Sequence, residues 1–418
     1  MTHFGLICPP LAGHINPLAA LGRALARRGH CVTLVHVPDM RAKALEEGLR
    51  FAAIGSDAYA PGTLARSLES LRGIHGLAAL RYSIKCSAHI TSLFLRDGSE
   101  VLKRERIDAL LVDQNEPAGG TLAQRLQIPF LSVCTSLPLN REASIPPPFT
   151  AWAFSNSTFA KARNRLSYAI VDRLLSPIQT VLNSYRRRWG LPPIANPDDT
   201  FSSLGTLAQL PREFDFPRVK LPQHFYYLGP WFDEQTSSHG RFPFEKLDGR
   251  PVVYGSLGTL QSAIHVAFRM MAEACSSLNV QLILSLGTDA EIGRLNLPGN
   301  PLVAGYVPQI ELLAKAAVTI THGGMNTTLQ SLHFGVPAIA IPLDHDQPAI
   351  AARLARTGAG VFFELGRLNS STLRTAIQDM LASGSRFRLR ALALQQEIAN
   401  SGGTRRAADL AERLLISK

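Results

Sequence analysis

The sequence predicts an α/β protein with two doubly wound domains, each built on a parallel sheet. Short apolar runs rich in β-branched residues alternate with helical segments along the 418 residues. This alternation is typical of parallel strands joined by crossover helices. A polar stretch from Asp233 to Gly249 interrupts the series, and strand-like runs resume after it. A chain of this length has room for two or three domains, so we expect one sheet on each side of the interruption.

The first half begins with a strand over Phe4 to Cys8, followed by a helix that Pro17 opens. Leucines at helical spacing give that helix one apolar face, and Arg27-Arg28-Gly29 is typical of a helix end. Pro138 to Phe149 is too irregular for a strand and predicts a loop. Further strands are predicted over 32–37, 109–112, 130–133 and 226–228.

The second half predicts strands over 252–254, 280–286, 302–304, 318–320 and 338–341. We therefore divide the chain into an N-terminal domain over residues 1–235, a linker over 236–249 and a second domain over 250–400. Residues 401–418 contain a helix rich in alanine, leucine and arginine. We expect that helix to pack back toward the N-terminal domain.

The composition indicates an ordinary globular protein, because 46% of the residues are hydrophobic and 18% are charged. No apolar run reaches the roughly 18 residues that a membrane-spanning helix needs. The N-terminus lacks the pattern of a signal peptide. The five cysteines are scattered without paired spacing, which favours reduced thiols and a cytoplasmic location.

The net charge of +11 has two interpretations that the sequence leaves open. The excess is either a solvated helical face or a surface attracted to anionic lipid headgroups, which would make the protein peripheral on the inner membrane face. Nucleic acid is not an expected partner, because no aromatic-basic module is present. Much of the excess lies in the middle of the chain, at Lys161, Arg163, Arg165, Arg173 and Arg186 to Arg188.

The stretch from Thr321 to Gln330 predicts a diphosphate site. A β-branched run over 317–320 leads into two glycines and then into a helix that opens at Met325-Asn326. Glycines allow backbone N–H groups to approach a ligand, and the helix start adds unpaired N–H groups and a positive dipole end. His322 supplies another donor. A helix N-cap that uses Asn326 or Thr327 is compatible with this interpretation.

His14 and Asp113 are the candidate catalytic pair. Both follow predicted strands of one sheet, at the carboxyl edge where open α/β folds bind ligands. A histidine can accept a proton near neutral pH, and a facing carboxylate would hold its ring and favour its protonated form. The alternative is that His14 only caps the helix that Pro17 opens.

Several blocks resemble inverting nucleotide-sugar glycosyltransferases with two facing Rossmann-like domains, the GT-B fold, and among them the bacterial carotenoid glucosyltransferases. The similarity runs from Gly13-His14 to the last helix. Its blocks are Val112 to Gly119, Leu137 to Glu142, Ser256 to Gln261, His322 to Thr327 and Asp346-Gln347-Pro348.

The resemblance implies a donor site in the second domain and an acceptor site in the first, with His14 as the base and Asp113 as its partner. Asp346 and Gln347 match a pair that binds sugar hydroxyls, although a simple turn before Pro348 would also use them. The donor residues that it implies are Ser256, Gly258, Thr259, Tyr306, Val307, Gln309, His322, Gly324, Met325, Asn326, Thr327, Gln330, Asp346 and Gln347.

Two donor positions depart from the family pattern. Tyr306 stands where many relatives have tryptophan, so a smaller ring would stack on the base, unless Tyr306 is a core aromatic. Gln330 stands where many relatives place an acid that binds the ribose hydroxyls. An amide can accept and donate but carries no charge, so dTDP-sugars remain an alternative to UDP-sugars.

No metal or cofactor is expected. Asp344-His345-Asp346 has the spacing of an Asp-x-Asp metal site, but this block lies where the resemblance puts the sugar hydroxyls. The helix start and His322 already provide a positive field for the diphosphate.

The expected function is transfer of glucose from UDP-glucose to a hydroxyl of an apolar acceptor, with a carotenoid such as zeaxanthin as the acceptor that the resemblance implies. Flavonoid, polyketide or other phenolic acceptors are alternatives, because loops of this kind vary freely. A nucleotide-sugar epimerase and a non-catalytic nucleotide-sugar binder are alternatives of other classes. The acceptor is expected between the loops 59–81 and 138–154, at Leu64, Leu68, Leu77, Ile145, Phe149, Trp152 and Phe154.

Overall fold

The computed structural model describes residues 1–72, 74, 76–233, 242–258, 264–287 and 296–416, without the side chains of residues 72, 76, 77 and 264. Thr259, the side chain of Leu77 and residues 236–241 of the expected linker therefore lie outside the described part of the chain.

The strands and helices alternate along the chain. Those of the first half are β1 (His3–Ile7), α1 (Ala12–Ala26), β2 (Cys31–His36), α2 (Arg41–Glu46), β3 (Arg50–Ala53), α3 (Thr63–Arg72), α4 (Gly76–Arg104), β4 (Ala109–Asp113), α5 (Ala118–Leu126), β5 (Phe130–Cys134), α6 (Thr158–Arg188), β6 (Thr206–Ala208) and β7 (Phe225–Tyr227). Those of the second half are β8 (Val252–Ser256), α7 (Ile264–Cys275), β9 (Gln281–Ser285), β10 (Leu302–Ala304), α8 (Gln309–Leu313), β11 (Ala316–Thr321), α9 (Met325–His333), β12 (Ala338–Ala340), α10 (Gln347–Thr357), β13 (Gly360–Phe362), α11 (Ser370–Leu381), α12 (Arg386–Ser401) and α13 (Gly403–Leu415).

The strands form two parallel sheets, one in each half. The first has seven strands in the order β3-β2-β1-β4-β5-β6-β7, and the second has six in the order β10-β9-β8-β11-β12-β13. In both sheets the chain winds outward from a central strand in one direction and then in the other, as in doubly wound folds. The predicted fold class is confirmed.

Three strands were not predicted, namely β3, β6 and β13. The strands β6 and β13 have only three residues each, which is too short for an apolar run to stand out. Only Ala52 of the four residues of β3 is buried, and β3 lies at the edge of its sheet, so its sequence lacks the continuous hydrophobicity of a central parallel strand.

The expected start of α1 at Pro17 is wrong. The helix begins at Ala12, so His14 lies in its first turn and Pro17 is buried inside it. Proline has no N–H to bond the carbonyl four residues earlier, which is that of Gly13. That carbonyl accepts a hydrogen bond from Asn326 Nδ2 of the second domain at 3.3 Å instead. A partner from the other domain therefore offsets the bond that Pro17 removes.

The expected loop over 59–81 is also wrong for most of its length. Helix α3 occupies 63–72, and α4 begins at Gly76. Leu64 and Leu68 therefore lie on a helix. The segment 138–149 contains no helix or strand, as predicted.

The two domains share a buried apolar cluster behind the cleft between them. It joins Leu137 and Phe214 of the first domain to Leu329 and Ile350 of the second. The last helix, α13, belongs to the core of the first domain and packs against α1. Among the described residues, no helix combines the length and hydrophobicity needed to cross a membrane.

Candidate active site

His14 is held by a buried carboxylate at the carboxyl edge of the first sheet. Asp113 is the last residue of β4 and is fully buried. Its Oδ2 lies 2.9 Å from His14 Nδ1. Its Oδ1 accepts hydrogen bonds from the backbone N–H and the side-chain amide of Asn115, at 2.8 and 3.1 Å. Because Nδ1 is engaged with Asp113, Nε2 is the ring nitrogen of His14 that remains for proton transfer.

Thr135 is a third member of this cluster, and the sequence analysis did not identify it. Its hydroxyl donates to Asp113 Oδ2 and lies 2.8 Å from His14 Nδ1. Thr135 directly follows β5, which pairs with β4. A polar residue immediately after a neighbouring strand was the signal that could have revealed it.

The electrostatics of the cluster favour transfer of a proton to His14. Burial lowers the pKa of His14, but the charge and hydrogen bond of Asp113, helped by the charge of Asp346, raise that pKa overall. Burial raises the pKa of Asp113, but His14, Thr135 and Asn115 hold it below its usual value. Asp113 is therefore ionised and stabilises a protonated His14.

The second sheet presents His322 and the start of α9 at its own carboxyl edge. Ser256 ends β8 and is in register with Thr321 at the end of β11. The helix α9 begins at Met325 with Gly324 as its N-cap, and no side chain caps its backbone N–H groups. Such a helix start is suited to an anion.

The glycines of this edge make room for the His322 ring. A β-carbon on Gly324 would lie 2.5 Å from His322 Nε2, and one on Gly258 would lie 3.4 Å from Cε1. Nδ1 of His322 is buried and has no hydrogen-bond partner within the described structure. Burial lowers the pKa of His322 below its usual value, against the opposing effects of a hydrogen bond to the Ser256 backbone and of the charge of Asp346, so the ring is neutral.

Gln309 and Gln330 are joined in a hydrogen-bonded network beside α9. Gln309 Nε2 donates to Gln330 Oε1 at 2.6 Å and lies 3.4 Å from Thr327 Oγ1. The hydroxyl of Tyr254 donates to Gln309 Oε1 at 3.1 Å. The sequence analysis did not identify Tyr254, which orients Gln309 from inside the sheet.

Tyr306 and Val307 precede this network. The side chain of Tyr306 is 54% exposed, which excludes the alternative that it is a core aromatic. Val307 is buried.

Asp346 and Gln347 lie at the start of α10. Asp346 accepts a hydrogen bond from the Ser136 hydroxyl of the first domain. Gln347 Oε1 accepts from the backbone N–H groups of Leu343 and Asp344 at 2.8 and 3.0 Å. The oxygen of Gln347 therefore holds the preceding loop, and only its amide nitrogen remains for a sugar hydroxyl.

The two edges meet in one cleft. Asn326, at the start of α9, donates to the Gly13 carbonyl beside His14, and its Oδ1 accepts from Gln209 Nε2 at 2.9 Å. The charge of Asp346 contributes to the raised pKa of His14 and partly opposes the burial that lowers the pKa of His322. The histidine of the first domain and the anion-binding turn of the second thus lie within reach of the same carboxylate.

The expected acceptor residues fall into separate groups. Leu64 packs against the core of the first domain. Ile145 is buried with Phe216 and Ala352, and Phe154 packs on that cluster. Trp152 lies beneath the Arg163 guanidinium at 3.9 Å from the ring centre. Phe149 is exposed, and Leu68 on α3 is partly buried. The described residues do not bring this set together in a single cavity.

Two doubly wound domains whose strand ends face each other across a ligand cleft form the GT-B architecture of nucleotide-sugar glycosyltransferases. Comparison with known proteins supports this assignment of the fold. Residues 269–411 match the family described as erythromycin biosynthesis protein CIII-like, C-terminal domain.

The zeaxanthin glucosyltransferase of Pantoea ananas is 32% identical over 420 residues, which cover 100% of this chain and 97% of that protein. The enzyme of the same name from Pseudescherichia vulneris is also 32% identical, over 99% of this chain and 98% of that protein. The chain therefore belongs to the GT-B glycosyltransferase family that contains these enzymes.

Solved structures show the same fold. The glycotransferase of kitacinnamycin superposes with a TM-score of 0.77 at 23% identity, over 99% of each chain. The glycosyltransferase VinC, solved in complex with dTDP, superposes with a TM-score of 0.70 at 17% identity, over 100% of each chain.

Proposed function

We propose that this glycosyltransferase moves glucose from UDP-glucose to a hydroxyl of an apolar acceptor, a carotenoid such as zeaxanthin, with inversion at the anomeric carbon. The observation that carries the proposal is the single cleft in which His14, held by Asp113, faces the helix start at Asn326. The names of the two relatives at 32% identity support the choice of acceptor and sugar.

In the proposed reaction, the acceptor oxygen attacks the anomeric carbon while its proton passes to His14 Nε2. The bond between that carbon and the diphosphate oxygen breaks, and its electron pair leaves with UDP. Attack from the side opposite the leaving group inverts the anomeric centre. The imidazolium is stabilised by Asp113 and later releases its proton to solvent.

The negative charge that develops on the leaving diphosphate would be met by the start of α9 and by His322. Ser256 ends the neighbouring strand β8, and Gly258 follows it beside the His322 ring. We therefore propose that no metal ion is required. Undiminished turnover after treatment with a chelator is expected, and a loss that added Mg²⁺ restores would contradict this point.

The base assignment is tested by His14→Ala, with the exposed His224→Ala as a matched control. The first variant should lose about 10²–10⁴-fold in kcat because it lacks the proton acceptor. The control should retain the wild-type rate. Product is measured by mass spectrometry with zeaxanthin and UDP-glucose, and donor affinity by calorimetry. Full turnover in His14→Ala with unchanged donor binding would end the assignment.

The donor nucleotide is tested at Gln330, since VinC shows that this fold also accommodates dTDP. Gln330→Glu keeps an oxygen for Gln309 Nε2 and adds the charge that many relatives place there. A charged acceptor strengthens a hydrogen bond to the ribose 2′-hydroxyl, which dTDP lacks. We expect the preference for UDP-glucose over dTDP-glucose, measured as the ratio of kcat/KM values, to rise. A fall in this ratio would indicate that Gln330 does not contact the ribose.

The acceptor is tested by a panel of zeaxanthin, flavonoids and polyketide phenols with the same donor. A higher kcat/KM for the carotenoid would support the proposal. A higher kcat/KM for a phenol would contradict the proposed acceptor, but it would leave the proposed transfer mechanism unchanged. Incubation with UDP-glucose alone controls for epimerisation of the sugar.

A further inference from the structure

The long helix α6 has an inner face that packs on the loop before it. Asn164 Nδ2 donates to the Ala143 carbonyl at 2.9 Å, and the Tyr168 hydroxyl lies 3.3 Å from the Ile145 carbonyl. Ala160 and Asn164 are buried. Residues four apart lie on one stripe of a helix, so Ala160, Asn164 and Tyr168 mark the side of α6 that faces the protein.

The opposite face of α6 carries large apolar side chains that lie in solvent. Phe159, Leu166 and Ile170 are 77%, 65% and 55% exposed. Their spacings of seven and four residues place them on one stripe, about half a turn away from the Asn164 side. Large apolar side chains that are exposed together on one face of a helix are a signal of an interaction surface.

The charges around this stripe are of one sign. Arg165 and Arg173, which lie within one helical turn of Leu166 and Ile170, are both exposed. The one acid within α6, Asp172, is paired with Arg141, whose Nη2 lies 2.6 Å from Asp172 Oδ1. The exposed face of α6 therefore combines an apolar centre with uncompensated cations.

We propose that this face of α6 docks on an anionic lipid bilayer, with Phe159, Leu166 and Ile170 in the headgroup region and the arginines on lipid phosphates. An apolar stripe flanked by basic residues is the pattern of helices that lie in a membrane interface. A second copy of the chain fits less well, because a symmetric contact would bring the arginines of both copies together.

Docking in this orientation would hold the loop over 141–154 between the bilayer and the cleft, since the inner face of α6 contacts that loop. An acceptor dissolved in the membrane could then reach the cleft without crossing bulk water. This consequence depends on the proposed function, whereas the docking itself does not.

The test is sedimentation of the full chain with vesicles, without donor or acceptor. Wild type should sediment with vesicles of phosphatidylglycerol and phosphatidylcholine at low salt, and should be released at high salt. It should remain in the supernatant with phosphatidylcholine alone. Failure to sediment with the anionic vesicles at low salt would overturn the proposal, and it would leave glycosyl transfer to be assessed separately.

Two variants separate the apolar and charged contributions. Leu166→Ser/Ile170→Ser should lower the partition coefficient by about tenfold or more. Arg165→Gln/Arg173→Gln should lower it by about fivefold for each arginine removed. The matched control is Leu389→Ser/Leu392→Ser, which removes two exposed leucines from the basic helix α12 and should leave binding unchanged.

Other results would overturn the proposal. Equal losses in the α12 control would show that any exposed leucine contributes. If only the arginine variant lost vesicle binding, the interaction would be a nonspecific charge attraction that does not use the apolar stripe. A wild-type dimer in analytical ultracentrifugation that Leu166→Ser/Ile170→Ser converts to a monomer would assign the stripe to a second copy. Circular dichroism checks that each variant is folded.

Discussion

A partly buried histidine can serve as a general base only if its orientation and its pKa are both controlled, and in this protein Asp113 fixes the orientation of His14 and is the main cause that raises its pKa. The carboxylate engages Nδ1 and leaves Nε2 for the acceptor. Its charge and hydrogen bond, together with the charge of Asp346, outweigh the burial that would otherwise lower the pKa of His14. The same residue therefore sets the tautomer and the pH range in which the ring accepts protons.

Asp113→Asn should move the acid limb of the pH profile. A base works when unprotonated, so kcat/KM falls as the pH drops through the pKa of His14. The amide removes the charge that raises this pKa, while burial still lowers it, so the limb should shift to lower pH. The maximal rate should also fall, because the imidazolium loses its stabilising charge. The profile is measured between about pH 5 and 8.

The control for this prediction is Asp108→Asn. Asp108 is exposed and accepts a hydrogen bond from the His3 backbone N–H at the start of β1, away from the strand ends that form the cleft. Its replacement should leave the acid limb in place. An unmoved limb in Asp113→Asn would show that a group other than His14 produces it.

Gly324→Ala should weaken donor binding without unfolding the domain. The new methyl group would lie 2.5 Å from His322 Nε2, so the ring must leave its position at the start of α9. We expect UDP affinity to fall by about tenfold, the loss of one hydrogen bond to a charged group. Gly366→Ala is the control, because a β-carbon there meets no atom within 4 Å. Calorimetric titration with UDP measures both, and equal affinities would remove His322 from the donor site.

Among the residues of the candidate site, those that follow recognisable strands could be predicted from the sequence. Residues whose role depends on their tertiary position could not. His14, Asp113 and His322 each stand beside an apolar run. Thr135 and Gln209 also follow strands, but β6 before Gln209 is too short to be recognised. The capture of the Gln347 oxygen by two backbone N–H groups could not be predicted, because it depends on the path of the preceding loop.

Element boundaries were less predictable than element types. The apolar spacing correctly indicated a helix after β1, but the preference of proline for the first helical turn placed its start five residues too late. The helix extends back to Ala12 because Asn326 satisfies the Gly13 carbonyl from another domain. A local rule cannot include a partner more than three hundred residues away in the chain.

Helix α10 is fixed to the first domain by a buried ion cluster. Arg353 Nε donates to Asp215 Oδ1 at 2.9 Å, and Arg218 Nε donates to Oδ2 at 2.6 Å. Arg218 also donates to the carbonyls of Pro138 and Asn140 in the loop after β5, at 2.8 and 2.6 Å. The cluster therefore connects the helix that begins beside Asp346 with that loop.

Arg353→Met should destabilise the protein because it removes one cation from a buried carboxylate. Arg218 still neutralises part of the charge, so we expect a loss of about 2–4 kcal/mol in the free energy of unfolding. Denaturant unfolding measures it. Arg367→Met removes an exposed arginine paired with Glu364 and should leave the transition unchanged. Equal midpoints for Arg353→Met and wild type would mean that Arg218 alone satisfies Asp215.

The architecture of the whole molecule could be predicted only as far as it follows from the alternation of strands and helices along the chain. That alternation gives two parallel sheets, but strand order also depends on short strands such as β13, which pairs with β12 over three residues. The positions of the two sheets relative to one cleft are set by contacts between domains, including the shared cluster of Leu137, Phe214 and Ile350. None of these contacts leaves a periodic signal in the sequence.

The last helix shows how chain order and spatial order differ. Helix α13 follows the second domain in the chain, but Ala407, Leu410 and Ala411 are buried in the core of the first. On its polar side, Glu412 pairs with Arg28 and His30 beyond the end of α1, at 2.7 and 2.9 Å. The first domain therefore has an incomplete core until the whole chain has been made.

A chain that ends at Gly402 should consequently lose stability in the first domain alone. Removing α13 exposes the apolar face of α1, and each buried leucine contributes about 1.5–3 kcal/mol. We expect the unfolding midpoint reported by Trp189, which packs on the first-domain core, to fall in denaturant, while calorimetric affinity for UDP is retained because α9 and His322 lie in the other domain. Arg413→Gln, at an exposed position of α13, serves as the control and should keep the wild-type midpoint. An unchanged midpoint in the truncated chain would show that α13 covers a core that is already complete.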